Sequence, residues 1–93
     1  MERKIVISKN ALEDLENIIF YLKHNWQQKV VDNFIKNLDS KYTLLKQQPN
    51  LGYKTAKYSR FRQTIIGSHY ILIYKYSNKV ITIVRIKHSS QNK

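Results

Sequence analysis

Residues 69–87 read His69-Tyr70-Ile71-Leu72-Ile73-Tyr74-Lys75-Tyr76-Ser77-Asn78-Lys79-Val80-Ile81-Thr82-Ile83-Val84-Arg85-Ile86-Lys87. β-Branched and aromatic side chains, which suit a pleated surface, lie on both sides of the short polar Ser77-Asn78-Lys79. Asn tolerates the positive φ that tight connections use. The stretch predicts an antiparallel hairpin with strands at about 69–76 and 80–87. Ile71, Leu72, Ile73 and Tyr74 run without alternation, so the first strand is expected to be buried on both faces. Simple alternation along the second puts Arg85 and Lys87 on one face with Ile81 and Ile83, and Val84 and Ile86 on the other, against the helices. Lys75 is expected to join Arg85 from the neighbouring strand.

Upstream, residues 61–66 predict one more strand. Residues 53–60 have no period and read as a basic, aromatic loop. Pro49 and Gly52 end a helix and turn the chain. That helix is marked by Val31, Phe34, Leu38, Tyr42 and Leu45 at spacings of three and four. An earlier stripe, Leu12, Leu15, Ile19, Leu22 and Trp26, marks another. Asn10 with Glu13 has the form of a capping box, with Ser8 as the rival cap, and Asn25 with Gln28 repeats the pattern. Glu13, Asp14 and Glu16 crowd the start of the first helix, where the macrodipole favours anions. The connection between the helices is very short, so they are expected to pack as an antiparallel hairpin. Residues 3–8 are short and rich in β-branched side chains and predict a first strand, paired at a sheet edge with its neighbour left open. The order gives an α+β fold: N-terminal strand, antiparallel helical hairpin, then a three-stranded antiparallel meander, β-α-α-β-β-β, with the helices on one face.

Ninety-three residues make one domain, 1–93, with a modest core. Cysteine is absent, which excludes a disulfide framework and a thiolate metal site and fits a cytoplasmic protein. The longest apolar runs, Ile18–Leu22 and Tyr70–Tyr74, fall far short of the ~20 residues that span a bilayer. Met1-Glu2-Arg3-Lys4 does not open a signal peptide. With only Gly52 and Gly67 there is no glycine-rich phosphate loop. His24, His69 and His88 do not have metal-ligand spacing, so neither metal nor cofactor is expected.

Charge is more informative. Every acidic residue (Glu2, Glu13, Asp14, Glu16, Asp32, Asp39) lies in the first 39 positions, while residues 40–93 hold eleven Lys and Arg and no acid. The net charge of +11 therefore resides in the C-terminal part, which is expected to meet an anionic partner. In the loop, Lys54, Lys57, Arg60 and Arg62 interleave with Tyr53, Tyr58 and Phe61. That mix suits RNA or single strands, though it is equally the composition of a solvated loop whose aromatics fold back on the core. His88 follows Arg85 at the end of the last strand. It is either a surface histidine or, with a pKa near neutrality, a general acid or base. His69 reads as structural. These residues leave a nuclease and a binding module unseparated.

Ordered fragments then form a familiar set. They are Ile7-Ser8 through Ala11, Asp14-Leu15, Ile18, Tyr21-Leu22, Trp26, Pro49-Asn50-Leu51-Gly52, Arg60-Phe61, His69 to Tyr74, and Val84-Arg85-Ile86 with His88. Over nearly its full length the chain resembles the RelE/ParE superfamily of bacterial type II toxins. The resemblance implies a growth-inhibiting toxin silenced by a cognate antitoxin, with an acidic C-terminal antitoxin segment fitting the charge. The long hairpin, Trp26 and Arg85-Ile86-x-His88 look more like the ParE branch, which acts against DNA gyrase. RelE-like members cleave mRNA on the ribosome and carry alternating basic residues at positions matching Arg62, Thr64 and Ile66; only the first is kept. The expectation is thus a ParE-like gyrase inhibitor without a catalytic centre of its own. Its target-binding surface would be Lys54, Lys57, Arg60, Arg62, Arg85 and His88. The alternative is a ribosome-dependent mRNA endonuclease, with Arg62 and Arg85 stabilising the phosphate and His88 moving a proton.

Overall fold

The structure, a computed structural model, describes residues 3–54 and 60–89. Strand β1 (Lys4–Ile7) precedes helices α1 (Lys9–Asn25) and α2 (Gln28–Gln47), and strands β2 (Arg62–Ile66), β3 (Tyr70–Tyr76) and β4 (Val80–His88) follow. The strands form one sheet in the order β1-β4-β3-β2. Antiparallel pairing joins β2 to β3 and β3 to β4, as the meander requires. β1 takes the edge beside β4 and runs parallel to it, Lys4 opposite Val80 and Ile7 opposite Ile83, so the sheet is mixed. No described helix is long and apolar enough to cross a membrane.

The α2 stripe packs as its spacing requires. Val31, Phe34, Leu38 and Leu45 are buried, and Tyr42 packs beside them. Tyr42 carries the one buried side-chain polar atom among the described residues without a hydrogen-bond partner, its hydroxyl. From the sheet, Ile66, Leu72, Tyr74, Ile81, Ile83 and Ile86 complete this core. β3 is buried on both faces across Ile71–Tyr74.

α1 is rotated from the expected stripe. It buries Ala11 and Leu22, with Leu15, Ile18 and Ile19 partly buried beside them. Leu12 is 47% and Trp26 57% exposed. A small alanine stands where the apolar pattern was counted from a leucine. Trp26 is already the extended C-cap, with φ −139°, and so leaves the helical face.

The caps differ too. Ser8, not Asn10, is the N-cap: its Oγ accepts from the Ala11 N–H (3.1 Å) and donates to the Val84 carbonyl (2.9 Å). Asn25 ends α1 and donates to the Tyr21 carbonyl, while the α2 N-cap, Gln27, makes no side-chain capping bond. With α1 starting at Lys9, its first turn holds no acid, so Glu13, Asp14 and Glu16 lie outside the macrodipole's main reach.

β4 corrects the alternation reading. Ile73 faces Arg85 but Tyr74 faces Ile83, with the register shift at Ile73/Tyr74, which leaves Val84 as the extra residue of a bulge. Ile81, Ile83 and Ile86 therefore all reach the helix-covered face. Arg85 and Lys87, opposite Ile73 and Ile71, take the other face without Ile81 and Ile83. Lys75, opposite Thr82, shares that face with Arg85 as expected.

The turn after α2 is held from below. The Tyr74 hydroxyl donates to the Pro49 carbonyl (2.7 Å) and accepts the Gly52 N–H (2.8 Å). A Cβ on Gly52 would stand 2.7 Å from that hydroxyl and 2.8 Å from the Gln63 carbonyl. Glycine is needed there for close approach.

Candidate functional site: a basic trough between the first helix and the last strand

β1 stops opposite Ile83, yet β4 runs on to His88. The outer edge of residues 84–88 therefore meets α1 rather than another strand. Two side chains fill part of the gap. Ser8 takes the Val84 carbonyl, and Asp14 accepts the Ile86 N–H at 3.0 Å. Asp14 also binds Arg85, accepting from Nε at 2.7 Å and from Nη2 at 3.0 Å. Burial alone would raise the Asp14 pKa. The Arg85 hydrogen bonds, the Ile86 N–H and the charges of Arg85 and Lys87 outweigh burial and hold its carboxyl below the usual value.

Around this pair lies a cavity of about 710 Å³ whose wall includes Asn17, Tyr21, Tyr70, Lys87 and His88. A second cavity of about 710 Å³ continues towards the closed end of the helical hairpin and has Leu22, Trp26, Val30, Phe34 and Ile66 in its wall. Tyr21, Tyr70 and His88 line both, so the two form one trough. The ring of His88 meets Tyr70 edge-on (centroids 5.3 Å) and lies parallel to that of His69 (6.0 Å, 3°). Phe34 buttresses Tyr70 at 5.0 Å. Burial, then the neighbouring Tyr21, raises the Tyr70 pKa, so its hydroxyl stays protonated at neutral pH. Among the described residues no group of three His, Cys, Asp or Glu could hold a metal ion.

A model of the ParE toxin of type II toxin-antitoxin systems, parDE, matches residues 5–93. The chain belongs to the ParE toxin family. Among solved structures, it is similar to the chromosomal ParDE TA system from P. aeruginosa (TM-score 0.76, 16% identity, 94% of this chain and 96% of that one covered). It is also similar to YafQ from E. coli (TM-score 0.66, 18% identity, 98% of each chain). The toxin–antitoxin complex RelBE2 of Mycobacterium tuberculosis gives TM-score 0.65 at 14% identity, with 95% and 99% covered. These likenesses establish the shared RelE/ParE fold. No curated protein matches the chain.

In this ParE-family chain the expected site residues fall into separate places. Arg85 and His88 sit together in the trough. Arg62 lies on β2, two strands from β4, roughly 10 Å at the usual strand spacing. It is opposite Tyr74, on the helix-covered face, whereas Arg85 takes the other. Arg62 Nη1 donates to the carbonyls of Gly52 (2.7 Å) and Asn50 (3.4 Å), and its guanidinium lies 5.9 Å from the Tyr76 ring. It braces the turn. His88, opposite Tyr70, is four pairs along β3 from Arg62, roughly 13 Å. Lys54 and Arg60 are exposed on either side of residues 55–59, and Lys57 lies outside the described residues.

Sequence reasoning missed Asp14, Tyr21 and Tyr70 as trough residues. Asp14 reaches Arg85 across 71 positions, and no local pattern announces such a pair. Tyr21 did carry a signal: a large apolar residue off the α1 stripe, 52% exposed. Such residues can mark a binding surface.

Proposed function

We propose that this ParE-family chain is the toxin of a type II toxin–antitoxin module, that it inhibits DNA gyrase by binding it, and that a cognate antitoxin neutralises it. The observation carrying this reading is the separation of Arg62 from the Arg85 and His88 pair. A phosphate needs its cations within hydrogen-bond reach of one another's ligand atoms, about 3 Å from each. Arg62 and Arg85 stand on opposite sheet faces, each already holding protein acceptors. A binding surface needs no such convergence. Lys75 and Lys87 on one sheet face, with exposed Lys54 and Arg60, offer a broad positive surface instead, while Arg85 turns round the open edge to Asp14. Lys57 and His88 complete the proposed target surface, Arg62 acting as its brace.

A supercoiling assay with purified gyrase tests it. Loss of supercoiling on adding the protein, with ribosome-bound mRNA left intact, is expected. Codon-specific mRNA cleavage that disappears in His88→Ala would replace this reading with the nuclease. One feature favours that second reading: His88 shares its cavity with Arg85, Lys87 and the Tyr70 ring.

A further inference from the structure

The Arg85 guanidinium and the Ile86 N–H converge on a single carboxylate, and the chain itself supplies it. Both Asp14 oxygens are used: Oδ2 takes Arg85 Nε and the Ile86 N–H, and Oδ1 takes Arg85 Nη2. A planar guanidinium edge with a backbone N–H beside it is a carboxylate receptor. The donors belong to the part of β4 that runs on after β1 has stopped. Asp14 reaches them from a different layer, α1, and opens onto the cavity it lines. Lys87 lines the same cavity, so a second anionic group arriving there meets more positive charge.

The other half of the trough has a different character. Its wall is Leu22, Val30, Phe34 and Ile66, with Trp26 at the rim. Trp26, Tyr21 and Phe20 are 57%, 52% and 64% exposed, an unusual concentration of aromatic surface at one end of a small protein. Asn33 and Asn37 add amides along that wall. A ligand filling both halves therefore has a direction: a carboxylate at the Arg85 end and an apolar anchor at the Trp26 end. A single strand can stack a base on Trp26 or Tyr21, but it carries charge along its whole length and brings no aliphatic group to the Leu22, Val30 and Ile66 wall, so it fits the trough less well. An acidic peptide with a neighbouring apolar side chain matches both.

We propose that the trough is a peptide site of fixed polarity, in which Asp14 holds the place of the ligand's carboxylate on Arg85 and Ile86 until a partner's acidic side chain displaces it. This rests on the reading that the chain is bound by an antitoxin, whose segment would be the natural occupant. It does not depend on gyrase. Asp14 is then an internal competitor that sets a threshold on binding: a segment lacking the acid cannot open the clasp, and one lacking the apolar anchor gains too little to do so.

The chain's single tryptophan, Trp26, reports the apolar half directly. Blocked synthetic peptides carrying one Glu and one Leu, three to six residues apart in either order, are titrated against the full-length protein while Trp26 emission is followed. One order is expected to shift the emission and to bind about tenfold more tightly than its Glu→Gln or Leu→Ser version, or than the reversed order. Asp14→Asn is expected to tighten the acidic peptide at least threefold while leaving the Gln version unchanged. Because Asp14→Asn also loosens α1, Lys87→Gln is measured in parallel by emission and Trp26→Phe, which lacks the reporter, by titration calorimetry, and each is expected to weaken the acidic peptide. Equal binding of both orders, or tighter binding of single-stranded oligonucleotide than of any peptide, overturns the proposal. So does weaker acidic-peptide binding in a folded Asp14→Asn protein. Directional peptide binding without gyrase inhibition would keep the trough and remove the gyrase reading.

Discussion

Phe34 and Tyr42 show how differently two residues of the same helical stripe can behave. Phe34 is buried against Tyr70 and the sheet. Phe34→Ala is expected to cost about 3–5 kcal/mol in a urea melt, the usual result of opening a core cavity. Leu15, only partly buried, should fall nearer ~2 kcal/mol. Tyr42 buries a hydroxyl that has no hydrogen-bond partner among the described residues, and burial, then the Asp39 charge, pushes its pKa up to about 12. The unfolded chain releases that proton near pH 10, so the unfolded state binds fewer protons above this point. The Tyr42 contribution is thus intact below about pH 10 and is lost as pH rises towards 12. Tyr42→Phe is expected to be neutral or up to ~1 kcal/mol stabilising at neutral pH, because no hydrogen bond is lost. The same variant should show a shallower stability loss between pH 10 and 12, followed by circular dichroism. Tyr74 is the contrast: its hydroxyl holds Pro49 and Gly52, so Tyr74→Phe is expected to cost about 1–3 kcal/mol.

Among the elements, the strands and α2 were legible because long apolar spacings and an unbroken β-branched run leave few alternatives. The α1 face was shifted because Ala11, fully buried, carries little hydrophobic weight in a pattern count. The β4 faces were misread for a single reason. Strict alternation ran through Val84, which the bulge takes out of the ladder; omitting it restores Ile83, Arg85, Ile86 and Lys87 to alternate faces. Nothing in a β-branched run marks where a bulge falls. The trough was least legible, since its key contact joins α1 to β4 across most of the chain. Two contacts tie these elements together. Ser8→Ala removes the α1 cap and the stitch to Val84 and is expected to cost about 1–2 kcal/mol by thermal melt. Asp14 contributes in the acid direction. Its folded pKa lies below the ordinary 3.8, so its contribution is complete above that value and fades as pH falls through the lowered one. Below that range wild type and Asp14→Asn should melt alike, and above it wild type should be the more stable.

Over the whole molecule, charge is divided by layer. Every described acid (Glu13, Asp14, Glu16, Asp32, Asp39) stands on a helix, while the strands carry Lys4, Arg62, Lys75, Arg85 and Lys87 with no acid. Positive potential therefore concentrates on the sheet, although Arg62 is drawn to the helix-covered side by the Asn50 and Gly52 carbonyls. If that field guides the antitoxin, the association rate should fall steeply from low to physiological salt, as stopped-flow mixing would show. A rate indifferent to salt would leave apolar docking as the whole account. The short β1 has a last consequence. It leaves the tail of β4 with backbone groups that a second copy could zip against, the usual route by which open sheets aggregate. Ser8 and Asp14 occupy one acceptor and one donor of that seam, so isolated molecules are discouraged from joining there. The same two side chains that dock the first helix also help keep a highly basic protein dispersed before it meets its partner.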